Sequence, residues 1–330
     1  MATTAELEEM VRLLNATVAA LQTQMDVVQE DISSGEVCDS GDIAWMLTSC
    51  SLVLFMTLPG LALFYSGMVR IQNVLATVMQ SVSIACLVSI LWLVYGYSLA
   101  FTPVQSSTSC DHLHIVGNAD RIWLTGLSLS DIHQIAPRIP ESVFCMYELT
   151  FAIITPALIC GAFADRMKYK AMLIFMAAWH IVVYCPIACG FLYGFSLDFA
   201  GGNVVHVSAG MAGLICAFVI GNRTGYGQEH YLPHNVLISV MGGCMLWVGW
   251  GGFNAGSFFE ASELSTMAML NTQVSAACAA MGWMMTEWYI RGQPSVLGMM
   301  NGVVGGLVCI APAAGYVDTT GVSACVNNVN

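Results

Sequence analysis

The sequence predicts an all-α membrane protein, a bundle of about eight helices that each cross the bilayer. Three observations predict it: 57% of the 330 residues are hydrophobic, only 9% are charged, and the mean hydropathy is +0.72. A soluble domain carries about 25% charged residues, so a soluble fold is excluded. The alternation of apolar and polar residues that a membrane β-barrel requires is not seen in the sequence.

Eight apolar segments approach or exceed the roughly 20 residues that a helix needs to cross the hydrocarbon of a bilayer. We predict them at 43–66, 74–101, 141–164, 171–195, 203–221, 235–257, 264–287 and 296–316. Glycine pairs inside them, such as Gly242-Gly243 and Gly305-Gly306, allow helices to approach closely where lipid supplies no hydrophobic drive. The membrane domain as a whole is predicted to span residues 41–317, followed by a short extracellular tail at 318–330.

Lysine and arginine residues predict the orientation. Six of the nine basic residues fall in the first, third, fifth and seventh connections: Arg70, Arg166, Lys168, Lys170, Arg223 and Arg291. The positive-inside rule places those connections in the cytoplasm and the N-terminus outside the cell. Three cysteines then lie in the extracellular layer, where disulfides persist but where sequence does not fix the pairing: Cys38, Cys110 and Cys325.

Residues 1–37 form a separate, acidic, extracellular segment. Between residues 5 and 31, apolar side chains recur four and three positions apart: Leu7, Val11, Leu14, Val18, Leu21, Met25 and Val28. This spacing is typical of the a and d positions of heptads. Two interpretations remain open, an amphipathic helix that lies on its own domain and a coiled coil that joins copies of the chain.

Composition also narrows the function. The net charge is −12, whereas nucleic-acid binding requires a basic surface. No P-loop, HExxH, dinucleotide-binding or nucleophile-elbow motif is present, so we predict neither an enzyme nor a cofactor. The cysteines show no CxxC or Cys/His spacing, which predicts no metal site. The function classes that remain are a channel, a transporter or a sensor in the lipid bilayer.

Two ionisable residues lie just before or within the fifth segment, where charge is expensive. Asp198 precedes the helix, and a carboxylate there can accept from free backbone amides and complement the helix dipole, so we interpret it as structural support. His206 lies about two turns into the same helix. In a soluble protein a lone histidine of this kind is usually a core residue. In a membrane bundle such groups face an interior cavity or relay, which predicts a pore residue.

Aromatic residues of the third and sixth segments form a second candidate group. Tyr147 and Phe151 are one turn apart on one helix face, and Trp250, Phe253 and Ser257 follow one another on the sixth segment. Helix packing or an interfacial belt is one interpretation. The other is a vestibule or gate for a small ammonium-type cation, in which ring faces attract the charge and Ser257 accepts a hydrogen bond.

One acidic residue, Glu148, lies between Tyr147 and Phe151 inside the third segment. It can hydrogen-bond the backbone as a protonated acid, or lie toward a seam between subunits. Its role is open at this stage.

The stretch from Asp198 to His206, followed by Ala209-Gly210, resembles the signature of the ammonium transporter, methylammonium permease and Rhesus family. Further stretches resemble helices and connections of that family in the same order: 58–70, 151–159, 161–166, 252–257 and 291–295. The resemblance covers roughly residues 41–317. It implies a homotrimer in the cell membrane, with a pore in each subunit that moves ammonium or ammonia.

The resemblance also implies roles for single residues. An outer recruitment site maps to Tyr147 and Ser257, beside which we place Trp250, and a two-phenylalanine gate maps to Phe151 and Phe253. The implied mechanism is recruitment of the cation, its deprotonation, and separate or relayed passage of ammonia and the proton.

Below the gate, the family carries a pair of pore histidines. His206 matches the first of the pair, and a histidine suits proton relay because its ordinary pKa lies near neutrality. Asp198 matches the aspartate before that helix and keeps its structural role.

Two departures from the family pattern stand out. The family's recruitment tryptophan has no clear match, since Leu192 or Tyr193 occupies the region. The family has about eleven membrane helices in two inverted repeats plus one, and its second pore histidine belongs to the tenth. We therefore expect a chain shortened at its C-terminus. The alternatives to transport are an ammonium-sensing or regulatory subunit and an inactive truncated product.

Overall fold

The computed structural model describes residues 38–102, 115–192, 196–229 and 231–322. This part of the chain contains eight long helical segments, α1 to α8 in chain order: Ser40–Met68, Ile71–Phe101, Glu141–Phe163, Tyr169–Phe191, Gly202–Ile220, Val236–Gly256, Glu263–Arg291 and Val296–Ile310. Each overlaps one of the eight predicted segments, and the predicted all-α membrane bundle is confirmed. The predicted helix of residues 5–31, Cys110, Cys325 and Tyr193 lie outside the described residues.

Six of these helices, α1 to α6, are long and apolar enough to cross a membrane. The apolar α8 has only 15 residues, and α7 has 29 but is more polar. Neighbouring segments supply hydrogen-bond partners for some of the polar groups of α7. Asn271 donates to the carbonyl of Ala314 at 2.9 Å, and Thr272 accepts from Asn254 of α6 at 2.9 Å. Polar side chains of this kind join helices within a membrane bundle.

The sheet is confined to the connection between α2 and α3. Within the described ranges, β1 (Ile132–His133) pairs antiparallel with β2 (Ala136–Pro140), and a 3-10 turn at Ile122–Leu124 precedes them. The strand content is therefore small, as the predicted fold class requires.

Small residues set the helix spacing. α6 packs along α1, and α7 along α8. At Gly242 an added Cβ would overlap the backbone of Phe64 in α1, and at Gly306 it would lie 2.6 Å from the carbonyl oxygen of Ser275 in α7. Both contacts leave no room for a side chain, as expected where backbones approach closely.

Four helices contain a π-helical turn: Met56–Leu61 in α1, Trp92–Gly96 in α2, His180–Tyr184 in α4 and Gly202–Val207 in α5. Pro59 accounts for the first, because proline removes a backbone donor. Such turns are frequent at functional sites. The turns of α4 and α5 carry Tyr184 and His206, which both belong to the candidate site.

One arginine anchors the connection between α2 and α3. The guanidinium of Arg121 donates to Glu141 at 2.7 Å and to Asp131 at 2.9 Å. Glu141, which is 5% exposed, also accepts from the hydroxyl of Tyr97 at 2.7 Å. The hydroxyl and backbone amide of Ser128, and then Arg121, hold the pKa of the Asp131 carboxyl below its ordinary value.

We expect Arg121→Gln to lower the free energy of unfolding by about 2–3 kcal/mol, because it leaves the buried Glu141 carboxylate without its cation. Thermal unfolding in detergent measures the loss, with Lys170→Gln at the exposed start of α4 as the matched control. Equal midpoints for the two variants would contradict the prediction.

Ionised Asp131 stabilises the folded chain, and this stabilisation should be lost as the pH falls through the pKa of Asp131 in the folded state. The reason is that the unfolded chain binds the proton of Asp131 at a higher pH.

Candidate functional site

Asp198 lies in the connection before α5 and caps that helix. Its carboxylate accepts from the backbone amides of Gly202 at 2.6 Å, Asn203 at 2.7 Å and Val204 at 3.3 Å. The first turn of a helix leaves such amides without partners, and a negative charge there complements the helix dipole. The side chain is 2% exposed. One carboxylate therefore fixes the backbone that carries His206, the predicted pore residue.

Two glycines of the same motif are required by the local geometry. Gly201 has φ of +80°, a left-handed conformation that costs other residues energy. A Cβ on Gly202 would lie 2.5 Å from the ring of Pro312, after α8. The Gly-Gly pair thus lets the chain turn into α5 while the end of α8 packs against it.

His206 lies in the π-helical turn of α5, against aromatic rings of α6. Its ring stacks on Trp250 and Phe253, with centroid distances of 5.3 and 5.5 Å. The Nε2 atom is buried and has no hydrogen-bond partner among the described residues. This arrangement leaves one imidazole nitrogen available for a solute or a proton.

The two predicted gate residues contact each other. The rings of Phe151 on α3 and Phe253 on α6 have centroids 4.4 Å apart, and both side chains are buried. Since Phe253 also stacks on His206, three rings form a continuous series from α3 through α6 to α5. The structure thus brings the predicted gate and the predicted pore histidine together.

Tyr147 joins α3 to the end of α6. Its buried hydroxyl lies 2.9 Å from the carbonyl oxygen of Gly252, 2.8 Å from that of Phe253 and 3.4 Å from Ser257 Oγ. Ser257 in turn donates to the carbonyl of Phe253 at 2.8 Å. The hydroxyl of Tyr147 is therefore engaged by the backbone of α6.

A small cavity of about 30 Å³ lies beside these residues. It is lined by Phe101, Glu148, Phe151, Tyr184, Ala188, Phe191, Phe199, Ala200, Gly201, Val204, Val205, Ser257 and Phe259. Its volume suffices for one water-sized particle, which needs roughly 10–15 Å³. Ser257 and Phe151 belong to the lining, whereas Tyr147 and Trp250 do not. Phe253 contacts Phe151, and His206 contacts Phe253, so ring contacts lead from the cavity lining through the phenylalanine pair to the histidine.

Sequence reasoning missed several lining residues, among them Tyr184, Phe199 and Phe259. Phe199 follows Asp198 directly, so its place inside the motif was a usable signal. Phe259 follows α6 with φ of +61°, a conformation that costs an L-residue about 1–2 kcal/mol. Its ring packs on Tyr147 at 5.8 Å. No pattern in the sequence indicates Tyr184 or this backbone turn.

A bundle of apolar helices around a ring-lined path, with an unpartnered imidazole nitrogen at depth, defines a polytopic membrane protein of the transporter or channel class. The chain belongs to the Ammonium Transporter Family, whose sequence pattern matches residues 44–325. The match contains every residue of the site described above.

Relatives and solved structures agree with this family. An ammonium transporter of Bacillus subtilis is 42% identical over 283 residues, which are 84% of this chain and 67% of the relative. One from Aquifex aeolicus is 42% identical over 289 residues, 86% of this chain and 66% of the relative. The crystal structure of Candida albicans Mep2 has a TM-score of 0.78 and 33% identity, over 88% of this chain and 64% of that one. The chain spans about two thirds of the length of these relatives.

Proposed function

We propose that the protein moves ammonium across the cell membrane through a path that runs from the ring-lined cavity, past Phe151 and Phe253, to His206. The observation that carries the proposal is the contact series of Phe151, Phe253 and His206, at centroid distances of 4.4 and 5.5 Å. Within a family named for ammonium transport, this series connects a cation-sized cavity with a free imidazole nitrogen.

The chemistry follows from the walls of the path. Aromatic faces and the oxygen of Ser257 attract a cation in the cavity. A bare cation between two buried phenylalanines loses its hydration, which costs far more than the transfer of neutral ammonia. Neutral ammonia therefore passes the phenylalanine pair at a lower barrier, and the proton that ammonium releases passes to water on the cavity side of the pair. Beyond the pair, the next polar atom is Nε2 of His206. It can exchange a hydrogen bond with ammonia or take up a proton.

Roles in this scheme follow the residues already predicted. Ser257 recruits the cation, Tyr147 joins α3 to the end of α6 beside it, and Trp250 packs on His206. Phe151 and Phe253 form the gate, His206 is the pore residue, and Asp198 supports the start of α5.

The proposed orientation has the N-terminus outside the cell. In its support, the basic residues of the odd connections cluster at one end of the bundle. Arg166 donates to the carbonyl oxygens of Ala162 and Gly221, which joins the ends of α3 and α5. Arg70, after α1, pairs with Glu229 at 3.3 Å. Positive connections of this kind face the cytoplasm.

The proposed assembly is a homotrimer whose outer helix faces contact lipid and neighbouring subunits. Large apolar side chains of α5 are exposed in the single chain, among them Leu214 and Phe218. Exposed apolar area of this kind needs lipid or protein contact. Residues 1–37 are proposed to form a separate extracellular segment, 41–317 the membrane domain and 318–330 a short tail.

Uptake of labelled methylammonium by cells that lack their own ammonium carriers tests the proposal. We expect uptake with the wild-type chain, and a loss of at least about tenfold for His206→Ala, because a positioned acid–base group is removed. His234→Ala, at an exposed histidine of the α5–α6 connection, is the matched control. If the chain reaches the membrane without supporting uptake, or if His206→Ala takes up as much as wild type, the proposal is wrong.

A further inference from the structure

We propose that Glu148, Tyr184 and Ser257 form a binding site for one small N–H-donating cation in the ring-lined cavity. This site deepens the proposed function and rests on it, because the cation it would hold is the ammonium that the path carries. With the cation bound, the Glu148 carboxyl would be ionised and the site would pair opposite charges, whereas recruitment by rings and a hydroxyl alone would be neutral.

The first observation is the carboxylate. Glu148 is partly exposed, lines the cavity from α3 and makes no hydrogen bond or ion pair with any residue that the structure describes. Among the described residues of the lining, it is the only aspartate, glutamate, lysine, arginine or histidine. A carboxylate inside a membrane helix is costly unless it is paired or lines a polar path. A bound cation would supply the partner that the protein does not.

The second observation is a hydroxyl without a partner on another helix that lines the cavity. Tyr184 of α4 is 0% exposed, and its Oη has no hydrogen-bond partner within the described part of the chain. Buried tyrosine hydroxyls usually find one. The ring of His180 stacks on that of Tyr184 at 5.4 Å, which holds the phenol in place. Tyr184 therefore brings a second oxygen to the cavity of Glu148.

The third observation is that the remaining walls suit a cation of about the size of water. Ser257 donates its own proton to the carbonyl of Phe253, so its oxygen can accept from a ligand. The rings of Phe151, Phe199 and Phe259 line the same cavity and attract positive charge. A volume of about 30 Å³ has room for a particle of the size of ammonium. Oxygens from three elements match the several N–H donors of ammonium.

Titration of the purified full-length chain with ammonium chloride tests the site. We expect Glu148→Gln to weaken binding at least about tenfold, the loss of one charge-assisted hydrogen bond. Glu263→Gln, at an exposed glutamate in the first turn of α7, should bind as wild type does. Tyr184→Phe removes only the hydroxyl and should also weaken binding, so it decides the matter if Glu148→Gln does not fold. Wild-type affinity in folded Glu148→Gln, as expected of an uncharged, protonated Glu148, would overturn the proposal.

Uptake separates this site from the transport function. If the site is correct, Glu148→Gln raises the KM for methylammonium at least about tenfold while the maximal rate changes less. Uptake that depends on His206 but has an unchanged KM in Glu148→Gln would overturn the site and leave transport standing. Ammonium binding that depends on Glu148, in a chain that supports no uptake, would establish the site and overturn the transport function.

Discussion

Asp198→Ala is expected to lower the free energy of unfolding by about 3–5 kcal/mol and to reduce uptake about a hundredfold. The stability loss arises because three backbone amides at the start of α5, of Gly202, Asn203 and Val204, lose a buried acceptor, and each unsatisfied buried donor costs about 1–3 kcal/mol. The loss of uptake arises because His206 is carried by the same π-helical turn. A displacement of about 1 Å at a reacting group can cost about a hundredfold.

Two variants sharpen this test. Asp198→Asn keeps the shape but retains only one acceptor oxygen, so its unfolding midpoint should fall between those of wild type and Asp198→Ala. Glu263→Ala removes another acidic residue of a helix start, but an exposed one, and should change neither midpoint nor uptake. A folded Asp198→Ala protein with wild-type midpoint and uptake would refute the capping role.

The helices could be predicted because bilayer thickness dictates how long an apolar segment must be. α3 runs over Glu141–Phe163 where 141–164 is predicted, and α6 over Val236–Gly256 where 235–257 is predicted. The π-helical turns could not be predicted in this way. Apart from the turn at Pro59, they depend on packing between helices, which the period of apolar residues does not report.

The candidate site, like the fold, could be predicted only in part. Phe151 and Phe253 were predicted as a pair, and their rings do contact each other. Trp250 was placed with Ser257 by helical spacing, yet its ring packs on His206 of α5. Helical spacing carries no information on contacts between different helices.

The cavity shows why lining residues are hard to predict. Glu148 and Tyr184 come from different helices and meet only through the packing of α3 and α4. Phe259 follows α6, has a left-handed backbone conformation and lines the cavity. A single sequence identifies Glu148 as an ionisable residue within a membrane helix, but it does not indicate which residues surround it.

Substitution of the phenylalanine pair should change selectivity more than it changes the stability of the proposed trimer. We expect Phe151→Ala and Phe253→Ala each to alter the preference for ammonium over methylammonium at least about tenfold. A difference of one methyl group between two substrates in an apolar site typically changes their discrimination by about this factor or more. Phe151→Ala removes the wall between the cavity and Phe253. Apolar constrictions of this kind gate a path by excluding water. Competition by ammonium against labelled methylammonium uptake measures the preference.

A buried phenylalanine away from the path separates gating from packing. Phe163, at the other end of α3, is as buried as Phe253, so Phe163→Ala should lose comparable stability, about 3–5 kcal/mol. It should leave the preference between the two cations unchanged. Phe253→Ala differs further from Phe151→Ala, because it also removes a ring on which His206 stacks, and should therefore lower the maximal rate as well. If all three variants alter selectivity equally, or if neither path variant alters it, Phe151 and Phe253 are packing residues and do not form a gate.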